Sequence, residues 1–147
     1  EIIMSLGMYS GKIGNSFVSK KNYPVEATEW ILQNLDVKNM KLFNEYNYGS
    51  YLLYKGVPVF IDSRADLYAP EFNGKRAEDG KYDGRDIFTD FIKTSSMERY
   101  YEDTFEKYDI THIILKKKSK LNTFISNDSG FLEMYNDDNF VVYERCK

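Results

Sequence analysis

The chain has 147 residues, the length of one domain, and can fold around a single core without a metal ion or disulfide bonds. Its net charge of −3 comes without a clustered basic face, so we expect no nucleic-acid partner. Cys146 is the only cysteine, which excludes an internal disulfide. The sequence contains no run of 18 apolar residues, so no part of this chain is expected to span a bilayer.

Aromatic residues are unusually frequent, with 13 tyrosines and 10 phenylalanines. They favour aromatic packing in the core, and a groove for carbohydrate or peptide is the alternative. Because the chain begins at Glu1 and not at a methionine, we expect it to be part of a larger protein. We expect residues 1–22 to form an N-terminal entry arm with one strand near residues 2–6. Residues 23–147 form a single α/β domain.

Helical spacing first occurs after Pro24, where Ala27, Trp30, Ile31 and Leu35 fall on one face. Apolar runs then predict core strands at residues 41–44 and 57–61, separated by a short helical turn at 49–54. Residues 69–84 show no regular spacing of apolar residues and are predicted to be a loop that is either functional or mobile.

Further helices are predicted from residue 85 and from Ser95, where Glu98 three residues later suggests a capping box. The near-continuous apolar run 110–115 predicts a strand covered on both faces, followed by a short helix at 121–126. Residues 131–135 and 140–143 flank a turn of Asn and Asp and predict a hairpin. The predicted fold class is α/β, a three-layer-like sandwich with a small mixed sheet, helices on both faces and a C-terminal antiparallel hairpin.

The polar groups that follow the first two predicted strands are the candidate site, because open α/β sheets bind ligands at strand ends. Asp62, Arg64 and Asp66 alternate, so an extended backbone would point all three to one side. One interpretation is an Asp that caps a turn, with an Arg that braces it. Substrate binding is the other, and metal binding is the weaker form of it, because no histidine or third carboxylate has matching spacing.

A second polar cluster, Asn44 to Tyr48, offers amides and phenols that could hydrogen-bond to a sugar and stack on it. The alternative is a loop fixed by its own asparagines, with Gly49 at a positive φ. The candidate ligand-binding residues are Asn44, Tyr46, Tyr48, Asp62, Arg64, Asp66 and Tyr68. We assign structural roles to His112 and Cys146, and we predict no catalytic residue, metal ion or cofactor.

Several motifs together carry a resemblance to a known class of proteins. They are Asn-Ser-Phe at 15–17, Tyr-Pro-x-x-Ala at 23–27, Leu-Phe-Asn-x-Tyr-x-x-Gly-x-Tyr-Leu at 42–52, Val-Phe-Ile-Asp-x-Arg-x-Asp-x-Tyr at 59–68, Tyr-Asp-Ile-Thr-His-Ile-Ile-Leu at 108–115 and Tyr-x-Asp-Asp-x-x-Val-Val-Tyr-x-Arg at 135–145. With them the chain resembles the C-terminal extracytoplasmic domain of bacterial polytopic membrane proteins of the GT-C, mannosyltransferase-like glycosyltransferase type. Ser50 departs from that pattern, which commonly has a second glycine.

The resemblance implies a cell-membrane parent whose last helix ends before Glu1, with this domain on the extracytoplasmic side. Such enzymes use a polyprenyl-phosphate sugar, and their catalytic acid lies in an early loop outside this chain. The fragment is therefore expected to be inactive by itself. Its expected partners are the transmembrane domain of the parent and a glycan or lipid-linked sugar.

Three hypotheses follow for the function. The first is an accessory or acceptor-binding domain, with a cleft formed by residues 44–48 and 62–68 and the 69–84 loop as its rim. The second is a structural or protein-interaction module that binds no small ligand, in which residues 62–66 are paired internally. The third and least favoured is a free-standing enzyme that uses the acidic cluster.

Overall fold

The computed structural model describes residues 18–146, so most of the predicted N-terminal arm, with its strand, lies outside the described part of the chain. The strands are β1 (Leu42–Phe43), β2 (His112–Lys116), β3 (Phe131–Asn136) and β4 (Phe140–Arg145). The helices are α1 (Val25–Asn34), α2 (Gly49–Tyr54), α3 (Pro70–Asn73), α4 (Ile87–Ser95), α5 (Tyr101–Lys107) and α6 (Lys120–Ile125). Short 3₁₀ turns cover Tyr46–Tyr48 and Ala65–Tyr68.

The four strands form one mixed sheet in the order β1-β2-β4-β3. β1 runs parallel to β2, with Phe43 opposite Ile113, whereas β4 is antiparallel to both of its neighbours. The β3–β4 pair is the predicted C-terminal hairpin, and a register shift lies between Glu133 and Tyr135. The predicted mixed sheet and hairpin are therefore confirmed.

Two apolar clusters cover the two faces of the sheet, because alternate residues of each strand point to opposite sides. On one face, Phe43, Ile113 and Val141 pack with Phe91 of α4, Phe105 of α5 and Leu121 of α6. On the other face, Leu42, Ile114 and Val142 pack with Ala27 and Ile31 of α1 and Leu52 of α2. The predicted three layers, with helices on both faces, are confirmed.

Two local predictions were wrong. Val57, Phe60 and Ile61 are buried, but residues 57–61 form no strand, since β2 and not this segment pairs with β1. The capping box at Ser95 is also absent: α4 continues through Ser95, and Met97 adopts a φ of 64° before α5 begins at Tyr101. A left-handed residue at Met97 cannot belong to a continuous helix.

Across residues 18–146, no helix has both the length and the apolar character required to cross a bilayer.

Candidate functional site

The two predicted polar clusters meet in the folded chain. Asn44 Nδ2 donates a hydrogen bond to Ile61 O at 2.8 Å, next to Asp62. The Tyr46 hydroxyl donates to Ser63 O at 3.3 Å, and its ring packs edge-on against Phe88 with centroids 6.0 Å apart. The residues after β1 and the residues after Ile61 therefore form one continuous polar region.

The side chain of Asn44, the residue after β1, makes hydrogen bonds to the backbone of the 57–61 segment like those that a neighbouring strand would make. Its Oδ1 accepts from the Phe60 backbone N–H at 2.7 Å, while Nδ2 donates to the carbonyls of Ile61 at 2.8 Å and Glu45 at 2.9 Å. The side chain is fully buried, and its amide is used by these bonds. Asn44 therefore fixes the 57–61 segment, and a ligand from solvent cannot reach it directly.

Gly49 lies where two backbone segments come into contact. Its φ is −58°, so the predicted positive φ is wrong. A Cβ at this position would lie 2.0 Å from Ile61 O and 2.9 Å from Asp62 Cα, closer than atoms can approach. Glycine is required here because α2 begins directly against the 61–62 backbone.

Tyr48 is also buried and bonded within the protein. Its hydroxyl donates to Ile114 O at 2.9 Å and lies 2.8 Å from Glu45 Oε2, which in turn accepts from the Lys116 backbone N–H at 2.9 Å. Burial raises the pKa of both the Tyr48 hydroxyl and the Glu45 carboxyl. Glu45 was missed in the sequence because its partners, apart from Tyr48, lie about 70 residues further along the chain.

Asp62 and Arg64 form a rigid pair with unequal exposure. Arg64 Nε donates to Asp62 Oδ1 at 3.0 Å and Nη2 donates to Oδ2 at 2.5 Å, while the Arg64 backbone N–H donates to Oδ1 at 2.8 Å. The hydrogen bonds from Arg64 lower the pKa of the Asp62 carboxyl despite its burial. The Asp62 side chain is 0% exposed and that of Arg64 is 56% exposed. Asp62 thus orients a guanidinium that remains accessible to solvent.

The remaining members of the triplet do not continue an extended strand. The backbone bends at Arg64, with φ −88° and ψ 58°, and enters the 3₁₀ turn that holds Asp66 and Tyr68. Asp66 is exposed, whereas Tyr68 is half-buried and helps to lower the pKa of the Asp62 carboxyl. The expectation that three alternating side chains share one side depended on an extended backbone, which the structure does not have.

An open cleft of about 430 Å³ lies beside this turn and is lined by Ser63, Arg64, Asp66 and Leu67. Arg64 and Asp66 therefore share one cleft even though the backbone between them is bent. Asn44, Tyr48 and Asp62 lie behind it as supporting residues. Of the seven candidate residues, Arg64 and Asp66 are the two that line this cleft.

The predicted loop at 69–84 begins with α3 and then folds back on itself. Asn73 closes its base: Nδ2 donates to Arg85 O at 2.8 Å, and Oδ1 accepts from the Arg85 backbone N–H at 2.6 Å. Gly74 and Gly84 are in backbone contact there, since a Cβ on Gly74 would lie 2.0 Å from the Gly84 nitrogen. The loop is thus anchored at its base.

His112 and Cys146 lie apart from these contacts. His112 is half-buried on β2 opposite Glu144, with Nδ1 2.9 Å from Thr111 Oγ1, and burial lowers its pKa. Cys146 is exposed after β4. Within residues 18–146, no group of three His, Cys, Asp or Glu side chains could hold a metal ion.

Comparison with solved structures finds a related arrangement of elements. The chain is similar to the C-terminal globular domain of an oligosaccharyltransferase from Archaeoglobus fulgidus, with a TM-score of 0.55 and 13% identity. The likeness covers 82% of this chain and 95% of that domain. At this identity it shows the fold alone, and it agrees with the predicted α/β class. Neither the known protein families nor the curated protein sequences contain a match.

Proposed function

We propose that this chain is an extracytoplasmic accessory domain of a bacterial, glycosyltransferase-like membrane protein and that it binds an acceptor in the cleft beside Arg64. The observation that carries the proposal is the fold, which matches the C-terminal globular domain of an oligosaccharyltransferase over 95% of that domain. The sequence resemblance to mannosyltransferase-like proteins points to the same class independently. Catalysis then belongs to the membrane-embedded part of the parent.

The chemistry of the cleft favours an uncharged, hydroxyl-rich acceptor such as a glycan. The Arg64 guanidinium can donate hydrogen bonds to hydroxyl oxygens, and the Asp66 carboxylate can accept from hydroxyl groups. Leu67, which is 46% exposed, offers apolar surface in the same cleft. Because Arg64 is already paired with Asp62 and Asp66 adds a second carboxylate, an anionic ligand gains little from the charge of this cleft.

A second candidate is a structural module that packs against its own membrane domain or another protein. The internal pairing of Asp62 with Arg64, together with the burial of Asn44 and Tyr48, favours it. The two candidates differ in what they require of Arg64. Acceptor binding requires the solvent-exposed part of the Arg64 guanidinium, whereas a purely structural role requires only the hydrogen bonds from Arg64 to Asp62.

Saturation-transfer NMR on this chain, with neutral glycans and a polyprenyl-phosphate-sugar analogue as probes, tests the proposal. We expect signals from at least one glycan, and we expect Asp66→Asn and Arg64→Gln to weaken that binding by about tenfold or more. Arg76→Gln, which changes an exposed cation outside the cleft, is the matched control and should bind normally.

No signal from any probe would reject acceptor binding and leave the structural module. Equal loss of binding in Arg76→Gln would also reject it, because the effect would then come from overall charge. Thermal unfolding of each variant shows whether the domain remains folded, so a folding defect is not mistaken for lost binding.

A further inference from the structure

Two clefts on another part of the surface join into one groove. The first, of about 240 Å³, is mainly apolar and is lined in part by Met40, Pro58, Val59 and Phe60. The second, of about 700 Å³, lies at the base of the 74–84 loop. Ile87 and Tyr108 line both clefts, so the two lie next to each other, and we treat them together as one groove. None of the residues of the groove lines the cleft beside Arg64.

The second cleft has an excess of positive charge. Lys75 and Arg85 line it, and within residues 18–146 neither has a carboxylate oxygen within 4.0 Å. Asp83 also lines it, with its Oδ1 accepting from the Lys75 backbone N–H at 2.5 Å, so the lining has two cations against one carboxylate. The Arg85 guanidinium lies 5.2 Å from the centroid of the Tyr108 ring. An anion in this cleft would therefore meet two cations that lack an acidic partner.

Other cations near the groove have acidic partners. Lys107 Nζ lies 2.7 Å from Asp90 Oδ2, and Arg99 pairs with the other oxygen of the same carboxylate. Lys41, at the apolar end, lies 3.6 Å from Asp109. The two cations without an acidic partner, Lys75 and Arg85, are therefore at the loop end of the groove, and the opposite end is mainly apolar.

The position of Arg85 is set by the fold. Its backbone N–H and C=O are both bonded to the Asn73 side chain, at 2.6 Å and 2.8 Å. The contact between Gly74 and Gly84 also keeps the two ends of the 74–84 loop together, next to Arg85. Because the Arg85 backbone is already fixed, only its side-chain torsions lose freedom when the guanidinium binds an anion.

We propose that this groove binds an amphiphile whose anionic head, a phosphate or carboxylate, contacts Lys75 and Arg85. Its short apolar chain lies along Ile87, Tyr108 and Val59. Charge complementarity selects the head, and the apolar cleft next to it selects the chain. The site is separate from the acceptor cleft, so either proposal can fail without the other.

Amide-resolved NMR titration of this chain with octyl phosphate and with octanoate, both below their micelle concentrations, tests the site. We expect at least one of them to shift the resonances of Lys75, Arg85, Ile87 and Tyr108. Octanol and inorganic phosphate, which each lack one half of the ligand, should bind at least about tenfold more weakly. Binding of octanol as tight as that of the anions, or shifts confined to another surface, would overturn the proposal.

The double variant Lys75→Gln/Arg85→Gln separates the head from the chain. It should weaken binding of the anionic amphiphile by about tenfold or more and leave octanol unaffected. Lys21→Gln/Lys118→Gln, which removes two exposed cations outside the groove, is the charge-matched control. A double variant that binds like the unchanged chain, while thermal unfolding shows both to be folded, would also overturn the proposal.

Discussion

Replacing Asn44 by alanine tests how much the hydrogen bonds of this one side chain to the 57–61 backbone stabilise the domain. The change removes the acceptor of the Phe60 N–H at 2.7 Å and the donor to Ile61 O at 2.8 Å, both in the buried interior. A buried backbone group without a partner costs about 1–3 kcal/mol, so the two together predict a loss of roughly 3–5 kcal/mol. Whole domains are stable by only about 5–15 kcal/mol, so the effect is large.

Urea denaturation followed by circular dichroism measures this loss as a change in the unfolding free energy. Hydrogen exchange measures the effect at a single residue, because the Phe60 amide should lose its protection from exchange in Asn44→Ala. Asn127→Ala is the matched control: its exposed amide donates to Thr123 O at 2.8 Å, and its removal should change stability by no more than about 0.5 kcal/mol. A loss below about 1 kcal/mol for Asn44→Ala, with Phe60 still protected, would refute the reasoning.

Three further contacts yield predictions for the same denaturation assay. Gly49→Ala places a methyl group 2.0 Å from Ile61 O and should cost about 3 kcal/mol, whereas Gly56→Ala meets no neighbour and should cost about 1 kcal/mol for its positive φ. Arg64 lowers the pKa of Asp62, so its stabilisation is present above the unfolded carboxyl pKa of about 4 and is lost as pH falls through the folded value. Asp62→Asn should therefore flatten the acid limb of the stability–pH curve, and an unchanged limb contradicts this assignment. Glu102→Ala should cost about 2–3 kcal/mol because it removes the bidentate partner of the buried Arg145 side chain and leaves it the more distant Glu106 at 3.7 Å, while Glu102→Leu combined with Arg145→Met should cost less.

The layers of the fold could be predicted because they depend on local apolar patterns. The spacing of Ala27 and Ile31 gave α1, the run at 110–115 gave β2, and the Asn-Asp turn gave the C-terminal hairpin. Each of these signals lies within about ten residues of sequence. The contact between the two polar clusters was predicted from strand ends, although one of the two strands does not exist.

The errors have a common physical cause, which is contact between residues distant in sequence. Val57–Ile61 has the composition of a strand, but the side chain of Asn44 replaces the partner strand, and Pro58 has no N–H to donate. Gly49 is explained by the approach of Ile61, twelve residues further along, and not by its own φ. The role of Glu45 depends on Lys116. Such contacts between distant residues cannot be predicted from the composition of a segment or from the spacing of its apolar residues.

The edge formed by Asn44 also affects how the protein can associate. On that side of the sheet, β1 has only two residues, and the side-chain amide and the 57–61 segment cover it, which leaves no row of backbone groups for another chain to extend. The opposite edge is β3, six residues long, with Leu132 exposed and a register shift between Glu133 and Tyr135. Irregular pairing of this kind discourages strand addition. Edge-to-edge association, if destabilised variants show it, should nevertheless pair β3 with β3 and stop at two copies, because the covered edge at β1 cannot accept a third.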